Sequence, residues 1–114
     1  MLTFYFNGME GSMPEEEVLT SGMVGQEVKF LFDTSWRGAY KTAVFVAGAV
    51  CRTVEIADNT DLAPILTIPE EVLAHPCQRL YAGIWSRNEA GDYVRPTIMV
   101  KGPMIQFGAD PTIE

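Results

Sequence analysis

Imidazole and thiol are both scarce in this chain. Among 114 residues there is one histidine, His75, and there are two cysteines, Cys51 and Cys77. Any imidazole-dependent catalysis must run through His75, which stands directly before Pro76 and reads as a loop residue. Ser12, Ser21, Ser35 and Ser86 all lack the G-x-S-x-G setting of a nucleophile elbow. Cys77 is too near His75 in sequence to argue for a nucleophile and base that meet through the fold. Two cysteines do not make a disulfide framework. Cys51, inside an apolar run, reads as a small buried thiol, and a Cys51–Cys77 bridge is left open because sequence carries no geometry. With one histidine, these thiols are too few for a zinc site. There is no glycine-rich phosphate loop. Glu15, Glu16 and Glu17 fall in a polar loop, and Glu70 and Glu71 on a surface turn, so both groups read as solvated faces rather than as an acid and base pair. Asp58 and Asp61 lack the glycine and closing glutamate of a calcium loop. The expectation is a protein without catalytic residues, cofactor or metal.

Basic charge is in short supply as well. Eight Lys and Arg stand against 15 Asp and Glu, for a net charge of −7. The basic residues are scattered singly, at Lys29, Arg37, Lys41, Arg52, Arg79, Arg87, Arg95 and Lys101. No stripe exists to neutralise a nucleic-acid backbone or to hold an anionic bilayer. The longest uncharged apolar stretch, residues 42–50, is far short of the roughly 20 residues of a spanning helix. The opening residues have neither the basic start nor the apolar run of a secretory signal. Neither nucleic acid nor membrane is an expected partner.

What remains is ordinary globular composition, 47% hydrophobic and 20% charged, at the size of one domain. The organising signal is period-two alternation, the mark of half-buried strands. Leu2, Phe4 and Phe6 alternate with Thr3 and Tyr5 and stop at Asn7-Gly8. Residues 8–17 read as a loop, and Gly22 and Gly25 bracket a turn. Val28, Phe30 and Phe32 alternate in a second strand, which a tight connection at residues 33–38 ends. Residues 40–47 form the next, with Ala43 and Phe45 on one side and Val44 and Val46 on the other; so apolar a run suits a strand covered on both faces or at a subunit contact. A hairpin turn at Gly48-Ala49 leads to a strand over residues 50–56, and Asp58 to Asp61 form a turn cluster. A short strand over 65–68 precedes one helical turn begun at Pro69 and ended before Pro76. Leu80, Ala82 and Ile84 alternate with Tyr81, Gly83 and Trp85. A hairpin loop at 87–92 returns through Tyr93 and Val94 to Pro96, which marks an edge or bulge, and a last strand runs over 97–101, with a short extra one at 105–107.

This pattern predicts an all-β chain: an immunoglobulin-like antiparallel β-sandwich of about seven to eight strands with one short helical turn, over residues 1–107, and a linker or tail over 108–114. Phe30, Phe32, Phe45 and Trp85 read as core. Trp36, at a strand–turn junction, is either a lid on one end of the sandwich or a contact aromatic. Together with Tyr40, Val44 and Val46 it makes the candidate interaction surface, and a homo-oligomer is expected.

An ordered set of segments resembles a known domain: VKFLFDTSWRG (28–38), KTAVF (41–45), IPEEVL (68–73), LYAGI (80–84), DYVRPT (92–97) and GADP (108–111). In this order they are similar to the N-terminal domain of upper-baseplate and related tail-appendage proteins of phages and prophages of Gram-positive bacteria. The resemblance covers about four-fifths of the chain. It implies an immunoglobulin-like sandwich with a structural role in a virion tail, made in the bacterial cytoplasm and partnered by other phage tail proteins. It carries over no catalytic residue. The alternative is a carbohydrate-binding sandwich used in host-surface recognition, with Trp36, Tyr40, Tyr81 and Tyr93 as candidate sugar contacts.

Overall fold

The computed structural model describes residues 2–7, 10–13, 18–36, 40–58, 60–87, 93–96 and 99–108. Ten strands are present there: β1 (Leu2–Asn7), β2 (Glu10–Ser12), β3 (Leu19–Thr20), β4 (Glu27–Phe32), β5 (Tyr40–Ala47), β6 (Val50–Ile56), β7 (Ile65–Thr67), β8 (Arg79–Arg87), β9 (Tyr93–Pro96) and β10 (Val100–Gln106). Two short 3₁₀ turns complete the set, η1 (Thr34–Trp36) and η2 (Glu70–Leu73). The glutamate triplet, the connection at 88–92 and the segment after Gly108 lie outside the described residues.

The strands form two sheets. One has the order β2-β1-β4-β7; the other has the order β3-β10-β8-β5-β6, with β9 pairing β8 beside it. Splitting β4 and β7 from β5, β6, β8 and β10 follows the immunoglobulin scheme of two facing sheets. The sheets are mixed rather than wholly antiparallel. β1 pairs β4 in parallel, and β3 pairs β10 in parallel. Between β1 and β4 the chain crosses to the far sheet at β3 and back again, and such a detour is what a parallel neighbour requires. β2 and β3, three and two residues long, are too short to show a period, and neither emerges from the sequence. Gly11 lets β2 lie against the sandwich: a Cβ there would collide with Val100 Cγ2.

The parallel register sets Phe4 beside Phe30 and Phe6 beside Phe32. Their rings meet edge-on or stacked at 5.4–5.6 Å, and Phe30 reaches Phe45 of the opposite sheet at 5.8 Å. Each such pair contributes about 1 kcal/mol beyond simple burial. Leu80, Ala82, Ile84, Val100 and Ile105 fill the same interlayer space. η1 swings Trp36 over the end of this stack, 5.5 Å from Phe32, and η2 seals one side with Val72 and Leu73.

The hairpin between β5 and β6 turns on Gly48, which has φ +60°. A positive φ at the first of two loop residues is the type II′ pattern, whose twist matches the strands it joins. β10 is interrupted between Lys101 and Met104. The break falls at Gly102 and Pro103, where proline is tolerated, and the Arg79 guanidinium donates to the Gly102 carbonyl at 2.8 Å.

Candidate functional site

The strand register decides which side chains share the outer face of the six-stranded sheet. On β5 the residues Lys41, Ala43, Phe45 and Ala47 are buried toward the core, so Tyr40, Thr42, Val44 and Val46 point outward. Pairing then builds rows across that face. Thr42 lies between Glu55 and Trp85, Val44 between Thr53 and Gly83, and Val46 between Cys51 and Tyr81. Lys101 stands beyond Tyr81 in the last row. Thr42, Val44, Cys51, Thr53 and Trp85 line a shallow cleft of about 250 Å³.

Three of the large exposed apolar side chains belong to this region: Tyr40, Trp85 and Met99, at 38%, 39% and 41% exposure. Val44 is buried and Val46 half-buried. Of the four residues expected to form an interaction surface, the fold thus gathers Tyr40, Val44 and Val46 on one face. Trp36 is a correction. It is fully buried against Phe32, a lid on the core rather than a contact aromatic. Trp85 corrects in the opposite sense: expected in the core, it stands out from the sheet because it shares parity with Tyr81 and Gly83, not with Leu80, Ala82 and Ile84. Cys51 follows the same rule. It is exposed on the outer face, and Cys77 is exposed too; both are free thiols, so no bridge links them. The apolar run around Cys51 hid an alternation that puts Val50 and Val54 against the core.

β6 is an edge strand. Arg52 folds back so that Nη1 donates to the Cys51 carbonyl at 2.8 Å. A charged side chain over an edge carbonyl obstructs casual strand addition there, which leaves the face rather than the edge as the surface on offer.

On the inner side of the same strand, Lys41 and Ser86 face each other in register, and both are buried. The Lys41 ammonium lies 5.2 Å from the centre of the Phe32 ring. Burial pushes its amine below the ordinary lysine value, and the Asp61 and Asp58 carboxylates pull it part of the way back. Those acids are otherwise engaged in their own loop. Asp58 accepts from the Thr60 hydroxyl at 2.6 Å and the Thr60 amide at 2.8 Å, and these bonds hold its carboxyl below the usual range. Asp61 accepts from the Ala63 amide at 2.9 Å. Among the described residues no group of three or more His, Cys, Asp and Glu converges as a metal site, and no helix is long and apolar enough to cross a membrane.

The outer face therefore offers rings, methyl groups, two threonine hydroxyls and the Cys51 thiol, with Glu55 at one corner, Lys101 at another and Arg87 in register with Tyr40. Tyr81 lies on it; the side chain of Tyr93, the other tyrosine considered for sugar binding, is outside the described residues. No protein-family model matches the sequence, and neither a curated protein nor a solved structure matches the chain.

Proposed function

We propose that this chain is a non-enzymatic structural module of a phage or prophage tail or baseplate and that it works by protein–protein assembly. The observation that carries the reading is the ordered run of segments from VKFLFDTSWRG to GADP, which resembles tail-appendage domains. The outer face supports an assembly role: a sheet presenting Tyr40, Trp85 and Met99 in a chain of net charge −7 is a surface suited to being covered. Deleting the gene from the phage or prophage that encodes it tests the reading. The expected outcome is filled heads without competent tails. Normal infectious particles from the deletion strain would overturn it.

One observation favours a second reading, a carbohydrate-binding module. The Trp85 ring borders a cleft with the hydroxyls of Thr42 and Thr53 on its walls, and sugars stack on exposed rings while polar groups fix their orientation. A glycan array in which Trp85→Ala abolishes a signal would favour this alternative; an array blank for the native chain would remove it.

A further inference from the structure

We draw no further inference here: the strongest candidate, the open groove of about 310 Å³ between the turn after β3 and η2, lined by Met23, Val24, Glu70, Glu71 and Ala74, is an unpartnered surface, and nothing in the structure shows what covers it.

Discussion

Lys41 places its ammonium 5.2 Å from the centre of the Phe32 ring, inside a sandwich whose other inward residues on the same strand are Ala43, Phe45 and Ala47. The ring face attracts the cation, but burial dominates, since the amine is held below its ordinary value of 10.5. The native state thus binds the lysine proton less tightly than the unfolded chain does. Below the lowered folded value the core bears the full cost of the charge. Between that value and 10.5 the unfolded chain binds the proton more tightly, so stability rises with pH through this window.

Lys41→Met keeps the apolar stem and removes the charge. Its melting temperature at pH 7 should exceed that of the native chain, and the gap should narrow as pH climbs toward 10.5. Thermal melts at pH 7, 8, 9 and 10 check this. A variant less stable at pH 7 would mean that the Phe32 and Asp61 interactions outweigh the cost of burial.

The two tryptophans should part company. Trp36→Ala empties a fully buried site beside Phe32 and should cost about 3–5 kcal/mol in a denaturant titration. Trp85→Ala, on the outer face, should cost under about 1 kcal/mol. Acrylamide quenching of the single-tryptophan variants gives an independent reading, with Trp85 quenched readily and Trp36 protected.

Cys77 has φ +65°, a left-handed conformation that suits glycine. Cys77→Gly should therefore stabilise the fold by about 0.5–1 kcal/mol, while Cys77→Val should destabilise it. Chemical denaturation under reducing conditions separates this backbone effect from thiol chemistry.

Gly48→Ala should act in the opposite direction. It forces a side chain into φ +60° and brings a Cβ to 2.7 Å from Gln78 Oε1. The expected loss is about 1–2 kcal/mol, read as a lower denaturation midpoint with an unchanged slope.

Asp58→Asn tests the loop that flanks Lys41. The Thr60 bonds hold the Asp58 carboxyl below its ordinary 3.8, so its contribution is present above that pH and fades as pH falls through the lowered folded value. The native chain should be the more stable at pH 6, and the difference should shrink in strongly acidic buffer.

Much of this architecture is legible in the residues, and the gaps have physical causes. β4, β5, β6 and β8 announce themselves by alternation, because each has one face on the core and the other on the outside. The ends of β5 at Tyr40 and Ala47 follow directly. β2 and β3 are invisible because two or three residues cannot show a period; they are held by neighbouring strands. Parallel pairing of β1 with β4 is likewise a property of the chain's route, not of its local composition. For the face, parity already places Tyr81 and Trp85 opposite Leu80 and Ile84, and residue type alone misleads, since a large ring suggests core. Trp36 misleads in the reverse way. Its polar neighbours suggest surface, yet η1 turns it inward. The rows that set Thr42 between Glu55 and Trp85 need the strand order, which no local pattern encodes.

The most direct test of the central claim is quantitative mass spectrometry of particles purified from cells in which the phage or prophage has been induced. The account predicts this chain at a fixed, whole-number ratio to the other tail proteins, retained through gradient purification. Its absence from intact particles, with the protein abundant in the same lysate, would contradict a tail role.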